Sequence, residues 1–270
     1  MKTILFPTDF SQASVQAAAI AAGLARLLSA KIIFIYAVRS FADRDKFIGT
    51  AAFENETQAK QALEKLASRF SGGIPFEYLI RTGDITDEIV SAAKETKADM
   101  IVMSTSGAGD IPDTLALLNS TTADLISKKI CPVLAIPAGA NAKLIRKIVM
   151  AVDSHPIEAT VLAPVKEIAL KAKAEVLLLT VLSEEKVTGD DLLANKNNTI
   201  EQAFAGIPYS VHAIQSHETI DSIRQFASAQ AADMIAVVTR KRGFIDNLFH
   251  ESMSQKLALH SQIPLLVLTE

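Results

Sequence analysis

The strongest constraint in this sequence is that it repeats itself. Lys2 to Asp9 (KTILFPTD) matches Lys147 to Asp153 (KIVMAVD), Ala98 to Met103 (ADMIVM) matches Ala232 to Val237 (ADMIAV), and Cys131 to Ile136 (CPVLAI) matches Ile263 to Leu268 (IPLLVL). The order is kept in both halves. Ser120 stands twelve residues before Pro132 and Ser252 twelve before Pro264, so the last helix and strand of each half correspond without a gap. A chain of 270 residues built this way folds as two small domains of one architecture, each with its own core. We place the domains at 1–138 and 144–270, joined by the short linker Ala138 to Lys143 (AGANAK). So short a linker leads us to expect an intramolecular pseudo-dimer of the two domains.

Within each half, short β-branched runs alternate with longer stretches of helical period, the pattern of βαβ units and a parallel sheet. Strands are expected near 3–7, 31–38, 76–81, 99–103 and 132–136, and again near 147–152, 174–182, 209–214, 233–238 and 264–268. Helices fill the gaps. The stretch Ser11 to Leu28 puts Ala17, Ile20, Ala21, Leu24 and Leu28 on one face, with Ser11 as the N-cap. Alanine dominates that face, as close packing of a helix on a sheet requires.

Charge narrows the function. The chain has 27 Lys and Arg against 30 Asp and Glu, a formal charge of −3, which gives no electrostatic basis for a nucleic-acid partner. The apolar run Ile32 to Val38 is seven residues, far short of the roughly 18 that a membrane span needs. No membrane segment is expected. The opening MKTILFPTDF turns polar at Thr8 and Asp9 and lacks the form of a signal peptide, so the chain reads as cytoplasmic. One cysteine, Cys131, excludes an internal disulfide and reads as a small apolar residue entering a strand.

In an open parallel sheet, ligands bind beyond the carboxyl ends of the strands, where strand order reverses. In the first half Pro7, Thr8 and Asp9 end the first strand, Ala37 and Val38 end the second, and Met103, Ser104 and the segment to Asn119, Ser120 and Thr121 follow the fourth. A carboxylate there accepts hydrogen bonds from a ribose, and a glycine-containing loop entering a helix offers backbone N–H groups to phosphate. The arrangement suggests a nucleotide pocket.

The opening ILFPTDFS, the ADMIVMSTSG segment and the closing CPVLAIP resemble the first, fourth and fifth strands of the universal stress proteins, in the tandem form with two copies per chain. The resemblance covers essentially the whole sequence. It implies an α/β fold of two tandem Rossmann-like domains, each a five-stranded parallel sheet flanked by helices. It also implies a stress-responsive binding or interaction module, with a homodimer as one possible assembly. Family members divide into those that bind ATP and those that do not. The nucleotide-binding ones carry a Gly, two residues, a Gly, nine residues, then Gly and Ser or Thr. Here the first half reads Ser104, Thr105, Ser106, Gly107, eleven residues including Pro112, then Asn119 and Ser120, so only Gly107 and Ser120 remain. In the second half Val238, Lys241 and Glu251 hold the three glycine positions, leaving Ser252. That second pocket is expected to be closed.

Local charge points the same way. Ala98 to Ser127 contains no Lys or Arg, while Asp110 and Asp113 lie within the loop that would hold phosphates. Each carboxylate close to a phosphate costs about 1 kcal/mol in water and more when desolvated, unless a divalent cation intervenes. ATP or AMP in the first half is therefore expected to bind at most weakly, and then with Mg²⁺. Arg240, Lys241 and Arg242 form a basic cluster in the second half, and Phe244, Ile245, Leu248 and Phe249 are positioned as core or as a pocket seal. The five histidines, His155, His212, His217, His250 and His260, all lie in the second half, with no pair at helical ligand spacing, and no metal site is expected. Hydrolase elbow, Gly-Lys-Ser/Thr phosphate loop and HExxH are absent. Two other readings stay open: a slow Mg²⁺-dependent nucleotide hydrolase, and a carrier of a small-molecule ligand in the first-half cleft.

Overall fold

The computed structural model describes residues 1–39, 53, 55–106, 120–140, 144–152, 157–182, 203–239 and 263–270. It divides into two compact units, Met1–Ala142 and Lys143–Glu270.

In the first unit the described elements run β1 (Thr3–Pro7), α1 (Gln12–Leu28), β2 (Lys31–Val38), α2 (Glu56–Ser71), β3 (Phe76–Thr82), α3 (Ile85–Glu95), β4 (Met100–Ser104), α4 (Ser120–Ser127) and β5 (Val133–Ile136). The strands pair in the order β3-β2-β1-β4-β5, all parallel, with Leu5 opposite Ile33 on one side and Ile101 on the other. From β1 the chain steps outward to β2 and β3, then returns to β4 on the far side of β1. Right-handed crossovers therefore place the first two helices on one face and the next two on the other. The contacts agree: α1 meets α2, and α3 meets α4.

Local chemistry explains the elements. β1, β4 and β5 are buried at every residue, as strands covered on both faces must be. Ser11 caps α1 by accepting from the Ser14 N–H at 3.1 Å, and Asp84 caps α3 through the N–H groups of Thr86 and Asp87. The buried face of α1 is wider than its periodicity suggests: Ala18, Ala22 and Ala25 are buried beside Ala17 and Ala21, whereas Ile20 is only half-buried. Small residues let the helix lie close enough to the sheet to bury flanking positions too. β5 begins at Val133 and not at Pro132, since proline has no N–H for the ladder. The other strand ends fall within one residue of expectation.

The second unit has β6 (Lys147–Ala151), α5 (Ala159–Ala172), β7 (Glu175–Leu182), β8 (Tyr209–Gln215), α6 (Thr219–Ala229), β9 (Met234–Thr239) and β10 (Leu265–Thr269). Its order, β8-β7-β6-β9-β10, repeats that of the first unit. Thr3 and Lys147, Ser29 and Lys173, and Lys31 and Glu175 open or close matching elements, each pair 144 residues apart. The correspondence is thus ungapped from the first strand through the second. No helix among the described residues is long and apolar enough to cross a membrane.

Candidate functional site

The order reverses at β1 and β4, so the crevice of the first unit lies beyond Pro7 and Ser104. Pro7 and Thr8 are buried, Asp9 is half-buried, and the Thr8 N–H donates to the Ile35 carbonyl at 2.9 Å, continuing the ladder one residue past the strand. Ala37 is half-buried and Val38 buried at the end of β2, and the Val38 carbonyl accepts from the Gly83 N–H at 2.9 Å. Met103 and Ser104 are buried at the end of β4, where the Ser104 hydroxyl accepts from the Ser106 N–H at 3.2 Å. Ser120 opens α4 and Thr121 is half-buried. Gly107, Asn119, Asp110 and Asp113 lie outside the described residues, as do His155, His250, His260, Arg240, Lys241, Arg242 and the Phe244 to Phe249 segment.

A hydrogen-bond network shapes the turn after β1. The Thr8 and Ser14 hydroxyls meet at 2.8 Å, with both residues buried. The Phe10 N–H donates to Thr8 Oγ1 at 3.1 Å and the Ser11 N–H to Asp9 Oδ1 at 3.0 Å. Around it the Phe10 ring packs edge-on against Tyr36 (5.3 Å between centroids) and Phe53 (4.8 Å), and Tyr36 lies 5.7 Å from Phe53.

Sequence reasoning singled out Thr8 and Asp9 but missed Phe10, Ser14, Tyr36 and Phe53, which fix the turn. Thr122, next to the named Thr121, is fully buried, and its hydroxyl reaches Met103 Sδ at 3.6 Å. Arg39, exposed one residue beyond β2, was missed as well. It is the only cation among the described residues within one position of the carboxyl ends of β1, β2 and β4. The ungapped repeat held the signal for the network: 144 residues on, Val152 stands for Thr8, Ser154 for Phe10, Glu158 for Ser14 and Thr180 for Tyr36, while Asp153 alone keeps its counterpart.

Elsewhere, Cys131 is buried just before β5, and burial pushes its thiol from 9.0 up to about 12, against the lowering effect of the Ile101 backbone hydrogen bond and with a lesser upward contribution from nearby Asp99. In the second unit His212 Nε2 and Ser210 Oγ lie 2.9 Å apart near the start of β8. β8 is an edge strand, so the pair lies away from the switch point between β6 and β9. No group of three or more His, Cys, Asp or Glu suited to a metal occurs among the described residues.

The model of the universal stress protein family matches this chain twice, over residues 1–137 and 144–269. The chain belongs to the universal stress protein family. Each universal stress protein repeat thus coincides with one βαβ sheet of the fold. Among curated relatives, universal stress protein MJ0531 of Methanocaldococcus jannaschii is 32% identical over 146 residues, 50% of this chain and 81% of that protein. Universal stress protein Sll1654 of Synechocystis sp. is 33% identical over 137 residues, 50% of this chain and 85% of that protein. A crystal structure of a universal stress protein from Archaeoglobus fulgidus superposes with a TM-score of 0.74 at 19% identity, over 99% of this chain and 96% of that one, which extends the fold likeness to both repeats.

Proposed function

We propose that the first repeat binds an adenine nucleotide weakly and with a divalent cation, that the second repeat has lost this capacity, and that the protein works as a stress-responsive binding module. The observation that carries this reading is the polar turn at the switch point of the first repeat. Thr8 is hydrogen-bonded to Ser14 and Asp9 to the Ser11 N–H there, and Thr8, Phe10, Ser14 and Tyr36 become Val152, Ser154, Glu158 and Thr180 in the second repeat.

The residues present fit the nucleoside part of such a ligand better than its phosphates. Asp9 supplies a carboxylate for hydroxyl donors, Ala37 and Val38 an apolar edge for a base, and Ser104 and Thr121 hydroxyls. Pro7 and Met103 are buried near the carboxyl ends of β1 and β4. Toward phosphate the sequence offers Gly107, Asn119 and Ser120, two aspartates and no Lys or Arg from Ala98 to Ser127. A bound Mg²⁺ would offset those carboxylates, and Asp110 and Asp113 are the groups to hold it. Exposed Arg39 stands one residue beyond the carboxyl end of β2.

Denaturing extraction of the purified protein, with mass spectrometry of whatever is released, and thermal shift with AMP, ADP and ATP with and without Mg²⁺ test this directly. Ligand at a hundred times its dissociation constant stabilises by about 2.7 kcal/mol, a readily measured shift. The expected result is a shift only when cation is present. No shift with any nucleotide under either condition overturns the reading.

A further inference from the structure

The sheet order ends on β3 in the first repeat and on β8 in the second, and no strand among the described residues pairs with the outer edge of either. Which groups face the β8 edge follows from its ladder. The Pro208 carbonyl accepts from the Val176 N–H at 2.9 Å, and the Ser216 N–H donates to the Leu182 carbonyl at 2.8 Å. Alternate residues of a parallel strand bond to one neighbour, so Ser210, His212 and Ile214 bond to β7. Tyr209, Val211, Ala213 and Gln215 then turn their N–H and C=O groups outward.

The two edges are furnished differently. Phe76 pairs with Ile32 and Tyr209 with Val176, which aligns β3 with β8 residue by residue. Where β3 has Glu77 and Arg81, ion-paired with Lys31 and Glu95, β8 has Ser210 and Ile214. Charged side chains guard an edge strand, because a second strand docking there would strip them of water. β8 carries no Lys, Arg, Asp or Glu at any of its positions, and Tyr209 and Val211 are exposed.

β8 also matches itself. With a two-fold axis at His212, an antiparallel second β8 sets Val211 opposite the partner's Ala213 and Tyr209 opposite the partner's Gln215. Every outward N–H and C=O then finds its counterpart, and no charge opposes a like charge. Centring the pair on Val211 or Ala213 instead would leave Gln215 or Tyr209 facing a residue beyond the strand. A two-fold contact requires a self-complementary patch of this kind, whereas the strand offers no charge by which to select a foreign segment. We propose that the outer edge of β8 joins two copies of this chain, by antiparallel pairing of β8 with β8 about an axis at His212.

Sedimentation equilibrium of the full chain, its Val211→Lys variant and the Val211→Lys, Ala213→Glu double variant tests this. The axis repeats each change, so Val211→Lys is expected to raise the dimer dissociation constant roughly tenfold or more. Adding Ala213→Glu places a Glu opposite each Lys, and is expected to restore the constant to within about threefold of the unsubstituted value. A monomeric unsubstituted chain, a dimer indifferent to Val211→Lys, or failure of the second change to rescue it overturns the proposal. If Val211→Lys does not fold, residue-resolved hydrogen exchange of the unsubstituted chain decides. Slower exchange of the Tyr209 and Val211 amides in dimer than in monomer, with His212 equally protected in both, supports the pairing. Equal exchange of Tyr209 and Val211 in the two states overturns it.

Discussion

Two hydroxyls out of water, at Thr8 and Ser14, share one hydrogen bond, and the Thr8 oxygen also accepts from the Phe10 N–H. Replacing Thr8 by Val, the residue the second repeat carries at this place, leaves the Ser14 hydroxyl buried without its partner. The expected cost is about 1–3 kcal/mol in guanidinium unfolding, and Thr8→Val with Ser14→Ala is expected to cost less than the two single changes together. Strict additivity would show that the pair is not coupled. Cys131 gives a second test at this scale. Its folded thiol titrates near 12 against an ordinary 9.0, so the neutral form favours the fold. That contribution is intact below about pH 9 and is lost as pH rises toward about 12, because the unfolded chain releases the proton first. Cys131→Ala should flatten this part of the alkaline stability loss, and native Cys131 should resist iodoacetamide at pH 8 until the chain is unfolded. An unchanged alkaline slope would contradict the assignment.

At the scale of elements, the same device anchors both sheets. Asp99 Oδ2 accepts from the N–H groups of Lys2 and Thr3 at 2.7 and 2.9 Å, and Asp233 Oδ2 accepts from Arg146 and Lys147 at 2.7 and 3.1 Å. Each carboxylate ties the start of a central strand to its neighbour. Because Asp99 faces water, Asp99→Ala is expected to cost only about 1 kcal/mol, yet to speed exchange of the Lys2 and Thr3 amides. Unaltered exchange there would contradict the anchoring role. This is also the scale at which the sequence was most legible. The alternation of β-branched runs with helical stretches located all ten described strands, and Ser11 was readable as a cap because its spacing to the apolar face is local. The turn at Phe10 was not readable. Its rings come from residues 26 and 43 positions further along, brought together only by the sheet, and neither composition nor period registers such contacts.

For the molecule as a whole, duplication has left one scaffold with two differently furnished switch points. Asp9 and Asp153 occupy matching places, but only Asp9 has Thr8, Phe10 and Ser14 around it. The proposed asymmetry makes stoichiometry the deciding quantity. Titration calorimetry with AMP in the presence of Mg²⁺, on the full chain and on its Asp9→Ala and Asp153→Ala variants, measures it directly. One nucleotide per chain, lost with Asp9→Ala and retained with Asp153→Ala, is the predicted result. Two per chain, or loss of binding with Asp153→Ala, would contradict it.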